Sequence, residues 1–367
     1  MIISSIEPFA IRLPMTKPVV MAGEEVRAAE NMVVRIEAGD GVIGWGEAAS
    51  APVMTGETLA SMVAAVKLMT PALIGREARD IGGALAVMDA KLYGNNGAKA
   101  AIEIALHDLI GRALGQPVHS LLGAKTRGRM ALLGVVGGGD LDGDLADAAK
   151  KKAEGYTAFK IKVGTDTPDR DAARTRDICK ALGSGLLISA DANQGFGTEA
   201  ATRYVRAVDG CGLDFFEQPV AAHDLQGMAT VAAAANGIAI GADEGIHSLD
   251  DITRHHERKA ARGVSLKAIK LGGLRGVVEA GRLCDRLGMK VNVACKTGES
   301  SIACAAALHI AAVIPNIDWG LTLTSAGLKH DVTGEPIGGR HGFAQAIDRA
   351  GLGVDVDEAR VAAHRVG

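Results

Sequence analysis

The chain is predicted to be an α/β protein: a TIM-type (β/α)7β barrel with an N-terminal α+β cap that the C-terminal tail completes. Three observations predict it. From about Arg129 onward, short apolar runs recur at intervals of 22–29 residues, one strand-plus-helix unit each, placing strands near 130–136, 158–163, 186–191, 213–217, 238–243, 264–270, 289–295 and 317–323. Eight such parallel strands close into a barrel. Three of the runs end on an isolated carboxylate, Asp191, Glu217 or Asp243, each 26 residues from the next. The residues before this rhythm begins read differently, as an antiparallel unit with helices.

In that first part, Ile2 to Arg12 is a strand, and a polar, glycine-containing loop runs from about Met15 to Val26. Met32 to Glu37 and Val42 to Glu47 flank Ala38-Gly39-Asp40-Gly41, a strong hairpin signal. A second loop, Ala51 to Glu57, precedes helical patterns over Glu57 to Leu73 and Gly97 to Leu114, the latter stopping near Gly115 and Pro117. After about residue 325 come turns at Gly334, Gly338-Gly339 and Gly351, in a tail expected to wrap back onto the first unit. The expected division is 1–125 cap, 126–325 barrel and 326–367 tail. A doubly wound sheet is the rival. Gly137-Gly138-Gly139-Asp140 has glycines without GxGxxG spacing and reads as a flexible βα turn, and GxxxxGK[ST] does not occur.

Composition narrows the function. The chain has 367 residues, 48% hydrophobic and 23% charged, which is ample for a packed core; 48 glycines and 3% aromatics suit many tight turns and an aliphatic interior. A net charge of −3 implies no attraction to nucleic acid or to an anionic membrane. Cys179, Cys211, Cys284, Cys295 and Cys304 show neither zinc-type spacing nor the density of a disulfide scaffold, and are read as small buried hydrophobes in a reducing compartment. Met1 to Glu7 lacks the features of a signal peptide, and the apolar stretch Ile302 to Ile314 is interrupted by His309 and too short to cross a bilayer. A cytoplasmic protein is expected.

Barrel chemistry happens at the C-terminal strand ends. There Phe159-Lys160-Ile161-Lys162-Val163-Gly164 puts Lys160 and Lys162 on one face, because strand side chains alternate. Two close ammonium groups should depress each other's pKa, making Lys162 a general base near neutral pH. Asp191, Glu217 and Asp243 form an oxygen-only set whose repulsion a hard cation resolves, Mg²⁺ or Mn²⁺. A substrate carboxylate on that cation, a lysine taking the α-proton and a stabilised enediolate make one reaction class. Lys267, about three strands further round, would face the opposite side of the substrate as acid or second base.

Other readings stand beside these. The acids could be N-caps in βα turns, Lys160 and Lys162 an exposed edge pair, and Lys270 the functional residue in place of Lys267. Asn193, Gln218 and Glu244 either orient the ligands or serve ordinary loop hydrogen bonds. Lys296 and Glu299 line the pocket or face solvent. His255 and His256 are expected in solvent, and His309 in helix packing. The rival chemistries are a metal-free aldolase with a Schiff-base lysine and a non-catalytic scaffold.

At these residues the chain resembles the enolase superfamily, in its muconate-lactonizing-enzyme subgroup, over nearly its whole length. Gly41 to Ala48 is similar to the family's cap hairpin, and Ala98-Lys99-Ala100-Ala101-Ile102-Glu103 with Leu121-Leu122-Gly123 to the helix entering the barrel. The KxK pair, Asp191-Ala192-Asn193, Glu217-Gln218-Pro219, Ala242-Asp243-Glu244 and Lys267-x-x-Lys270-x-Gly272-Gly273 complete it. The resemblance implies Lys162 and Lys267 as acid/base pair with Lys160 in support, Asp191, Glu217 and Asp243 as metal ligands, and specificity loops near 15–27 and 50–57. It also implies a small carboxylate substrate and a homo-oligomer as large as an octamer. A lysine on the sixth strand separates this subgroup from the mandelate racemases. Trp319-Gly320-Leu321-Thr322-Leu323 is similar to the muconate cycloisomerases except that Thr322 stands at their glutamate, while leucines replace the Asp-x-Asp of dipeptide epimerases. Lys296 adds a cation that could meet a second carboxylate, as on muconate. A muconate-type cycloisomerase is the leading expectation. The alternative is a racemase, epimerase or dehydratase of an amino-acid derivative, proline-like, N-acyl or dipeptide.

Overall fold

The cap is built on a three-stranded antiparallel sheet, β1 (Ile3–Met21), β2 (Glu24–Ala38) and β3 (Ile43–Ala49), in that order across the sheet. The computed structural model describes residues 1–21, 24–137 and 140–366, with no side chain described at 20, 21, 24 or 25. Helices α1 (Leu59–Leu73), α2 (Ile81–Lys91), α3 (Asn96–Leu114) and α4 (Val118–Leu122) follow. The two glycines of Gly44-Trp45-Gly46 let β3 lie directly on α3. A Cβ at Gly46 would stand 1.9 Å from the Ala101 carbonyl oxygen, and one at Gly44 would stand 2.2 Å from that of Ala105. Asp108 of α3 fixes the contact by accepting from the Trp45 backbone N–H at 2.9 Å.

After β4 (Arg129–Ala131) the barrel runs β5 (Leu133–Val136), α5 (Leu141–Ala153), β6 (Ala158–Lys162), α6 (Pro168–Leu182), β7 (Leu187–Asp191), α7 (Thr198–Ala207), β8 (Phe215–Glu217) and α8 (Leu225–Ala234). It continues with β9 (Ala239–Ala242), α9 (Leu249–Glu257), β10 (Gly263–Leu266), α10 (Ala268–Leu271), α11 (Leu274–Arg286), β11 (Lys290–Ala294), α12 (Ser301–Val313) and β12 (Leu321–Thr322). Strands β5 to β12 form one parallel ladder in chain order, and a parallel bridge between Leu132 and Leu321 draws its two edges together into a nearly closed barrel. Trp319 stacks on Phe215 with ring centroids 4.0 Å apart and covers Gly241 and Gly263, whose lack of side chains makes room for the indole. The tail adds β13 (Phe343–Gln345), paired with β4, and α13 (Glu358–Ala363). It also reaches the cap: the Leu352 N–H donates to Asp108 at 2.7 Å, and the Val366 N–H to the Ala10 carbonyl at 2.9 Å.

Three expectations need correction, and one helix was not expected. Most of the loop expected over 15–26 is strand: β1 continues to Met21 and pairs with β2 as Val19↔Val26, with a register shift after Pro14. Proline is tolerated because β1 is an edge strand; residues 22 and 23 lie outside the described residues, as do Gly138 and Gly139 of the glycine run. The strand expected over 264–270 stops at Leu266, and Lys270 lies on the helical turn α10. Helix α2 was not anticipated, its start being masked by Gly82-Gly83. His255 is buried against Gly245, its Nδ1 bonded to the Asp251 carbonyl at 2.8 Å, so only His256 meets the expectation of solvent. His309 packs as anticipated, fully buried on α12.

Candidate active site

The ladder register assembles the site. Lys162, Asp191 and Glu217 are direct neighbours on β6, β7 and β8, while Glu217 pairs with Gly241, two residues before Asp243. All three acids are buried at the same end of the barrel. Lys160 donates to Glu217 Oε2 at 2.5 Å and lies 3.7 Å from Asp191 Oδ2. Lys162 donates to Asp191 Oδ2 at 2.7 Å and to Asn193 Oδ1 at 2.6 Å. From β10, four strands round from β6 rather than three, Lys267 donates to Asp243 Oδ2. Lys270 donates to Asp243 Oδ1 at 2.7 Å and to the Ser265 carbonyl at 2.9 Å. Lys270 is thus a buried clamp on the third acid, with Lys267 beside it.

The residues following each acid hold it in place. The Asn193 N–H donates to Asp191 Oδ1 at 3.0 Å, and its amide donates to Glu244 Oε1 at 3.1 Å. Buried Gln218 accepts from the Asp243 N–H at 2.8 Å and the Gly245 N–H at 3.2 Å, pinning the end of β9. Asn193 and Gln218 both have positive φ, 42° and 35°, a cost the hydrogen bonds offset. Ser265 and Asn292 were not singled out from sequence. Ser265 Oγ donates to Glu217 Oε1 at 2.8 Å and lies 3.1 Å from Asn292 Oδ1, while the Asn292 amide donates to the Gly320 carbonyl at 2.9 Å. This chain of side chains crosses the barrel under Glu217. Lys296 and Glu299 sit beyond β11, where Glu299 is buried and accepts from the Lys296 N–H at 2.9 Å.

Electrostatics correct one expectation. The lysines face carboxylates rather than chiefly each other. Burial alone would depress Lys160 and Lys267, but Glu217 and Asp191 around the first, and Asp243 and Glu244 around the second, outweigh it and hold both above the ordinary lysine value. Lys270 is pushed down, by burial and by Lys267. Burial opposes ionisation of Asp191 and Asp243 too, yet Lys162 with Lys160, and Lys267 with Lys270, keep them below the usual carboxylate range. Glu217 is raised by burial and by its two acidic neighbours. Burial lifts Glu244 and Glu299 to about 7. Repulsion among Asp191, Glu217 and Asp243 is the signature of a donor set that suits a hard divalent cation. Among the described residues no group of three acidic, histidine or cysteine side chains stands arranged to hold a metal ion, and Lys160, Lys162 and Lys267 are hydrogen-bonded to the three acids.

The site is joined to the cap by buried carboxylates that cap barrel helices from a distance. Glu47 of β3 accepts from the Ser300 N–H at 2.9 Å, Ser300 Oγ at 2.6 Å, the Ala303 N–H at 3.1 Å and the Asn31 amide at 2.7 Å. Glu103 of α3 accepts from the Leu274 N–H at 2.7 Å and the Arg275 N–H at 3.2 Å, at a helix whose own N-cap, Gly273, has no side chain. These donors would otherwise be orphans of a helix start.

Two family profiles match: "Mandelate racemase / muconate lactonizing enzyme, N-terminal domain" over residues 6–123 and "Enolase C-terminal domain-like" over residues 144–360. The N-succinyl-L-Arg/Lys racemase of Bacillus cereus is 30% identical over 97% of this chain and 96% of its own. Among solved structures, the muconate lactonizing enzyme of Pseudomonas fluorescens, complexed with muconolactone, superimposes with a TM-score of 0.94 at 30% identity, covering 100% of this chain and 99% of its own. The dipeptide epimerase of Cytophaga hutchinsonii, complexed with Mg and D-Ala-L-Val, gives a TM-score of 0.92 at 27% identity over 99% and 98% of the two chains. The chain is therefore an enzyme of the enolase superfamily and belongs to its mandelate racemase/muconate lactonizing enzyme family.

Proposed function

We propose that the protein moves a proton at the carbon α to a substrate carboxylate through an enediolate, as a cycloisomerase of muconate type. The observation that carries this is the pairing of Lys162 with Asp191 and of Lys267 with Asp243, on either side of Glu217 in one buried mouth. Asp191, Glu217 and Asp243 would hold Mg²⁺ or Mn²⁺, which when bound supplies positive charge for the substrate's carboxylate oxygens. Lys267, kept protonated by Asp243 and Glu244, suits delivery of a proton to the α-carbon. Lys162, steered by Asp191 and Asn193, suits its removal on the other face. Lys160 neutralises Glu217, and Lys296 would meet a second carboxylate.

The two-sided placement of Lys162 and Lys267 equally serves racemisation, in which one lysine removes the proton and the other replaces it. The 30% identity to an N-succinyl amino-acid racemase favours an N-acyl amino acid as that second reading. We further place the protein in the cytoplasm as a homo-oligomer, divided near residues 125 and 325. Among the described residues no helix is long and apolar enough to cross a membrane.

The test is α-proton exchange in D₂O, with Mg²⁺ or Mn²⁺ supplied and with EDTA, over muconates and N-succinyl amino acids. Lys162→Ala and Lys267→Ala should each reduce exchange or turnover at least about a thousandfold. Full exchange in either variant, or turnover that survives EDTA, would overturn the reading; a borohydride-trapped adduct would install the Schiff-base chemistry instead.

A further inference from the structure

All five cysteines are free, and four are buried as expected; Cys211 is not. It lies in the connection from α7 to β8, at the strand ends opposite the acids, and its Sγ is 3.8 Å from that of Cys179 on α6. Gly210 and Gly212 flank it with φ of 68° and 93°, and a Cβ on either would meet nothing within 4 Å. The connection therefore has both the backbone freedom and the space to bring the sulfurs from 3.8 Å to bonding distance, a shift of about 1.8 Å. Arg176, one turn before Cys179, donates to the Ala207 carbonyl at 3.0 Å and the Asp209 carbonyl at 3.4 Å, tying α6 to this connection and placing a fixed positive charge beside the half-buried thiol.

We propose that Cys179 and Cys211 form a peroxide-oxidisable dithiol site on the barrel face remote from catalysis, with Cys211 as the attacking sulfur and Cys179 as the resolving one. The Cys211 thiolate attacks a hydroperoxide; the O–O bond breaks, sulfur loses two electrons, and a sulfenic acid and water (or an alcohol) result. The Cys179 sulfur then attacks the sulfenyl sulfur; the S–S bond forms, the S–O bond breaks, and the hydroxide leaves as water with the Cys179 proton. Two thiols and one peroxide give one disulfide and two waters. The electrostatics assign the same roles. The contact between the two sulfurs, the Leu213 N–H and Arg176 lower Cys211 to about 7, while that contact and burial raise Cys179.

The test treats the whole protein with hydrogen peroxide, alkylates it under denaturing conditions and maps peptides by mass. The expected result is a linked Cys179–Cys211 peptide pair lighter by about 2 Da, formed at least about tenfold faster than Cys284, Cys295 or Cys304 is oxidised. Cys179→Ser and Cys179→Ala should each leave Cys211 trapped by dimedone as the sulfenic acid, and Cys211→Ser should abolish the link. No linked pair, oxidation of the three buried thiols at an equal rate, or dimedone on Cys179 in Cys211→Ser with none on Cys211 in Cys179→Ser would overturn the proposal.

Discussion

Replacing Glu103 with alanine measures how much the cap contributes to holding together the barrel end that carries the three acids. Its carboxylate accepts two backbone N–H groups at the start of α11, across 171 and 172 residues of chain. The donors differ in alternatives. Leu274 is fully buried, so its N–H would be left without a partner, whereas Arg275 is exposed and its N–H can turn to water. Losing a charge-assisted bond to a buried donor costs about 2–3 kcal/mol, and the exposed one adds about 0.5–1 kcal/mol. Glu103→Ala should therefore lose about 3 kcal/mol, read as a lowered urea midpoint by circular dichroism. Glu103→Gln, which keeps one acceptor oxygen, should lose about half of that. Because Gly272-Gly273 joins α11 directly to α10 and Lys270, turnover should also fall. A loss below about 1 kcal/mol in the alanine variant would refute the reasoning.

Gly46→Ala would drive a methyl into the Ala101 carbonyl oxygen, so a loss of about 3 kcal/mol or more, or insoluble expression, is expected; a wild-type melting temperature would contradict it. Ser265→Ala removes the donor to Glu217 and should lower kcat about 10–100-fold while the fold survives, as steady-state kinetics beside a melting curve would show. Burial first, then Glu299, raises Glu47 to about 8 from 4.5. The folded state thus binds more protons than the unfolded one between those values, and stability falls as pH rises through that window, by at most about 1.4 kcal/mol per unit. Urea midpoints from pH 5 to 8 should therefore decline more steeply in wild type than in Glu47→Gln, and parallel declines would remove Glu47 as the cause.

The residues legible in the sequence were those whose placement follows from position along one strand. Asp191, Glu217 and Asp243 could be read because each terminates an apolar run at a fixed spacing, and the parallel register turns equal spacing into proximity. Ser265 and Asn292 could not: a single serine and asparagine inside apolar strands acquire partners only when barrel closure brings segments 48 and 27 residues apart together. Lys270 was read as strand because Val264 to Lys270 continues the apolar run. The signal against that was Gly272-Gly273, whose φ values of 75° and 128° end a helical turn. For α2 the missed signal was Asp80, whose carboxylate caps the Gly83 N–H at 2.9 Å. His255 could have been placed inside from its three-residue spacing to buried Ile252 on α9.

Helix α12 has all thirteen residues buried and carries no formal charge. Its only titratable imidazole, His309, is pushed down to about 4 by burial and bonded to backbone at both nitrogens. It is wrapped by α4, α11, β3 and β11, which come from both the cap and the barrel. Any excursion that parts these two units bares an oily, uncharged cylinder to solvent, with neither proline nor glycine to interrupt it. Self-association should then compete with refolding in proportion to concentration, so recovery from denaturant will be best in dilute solution.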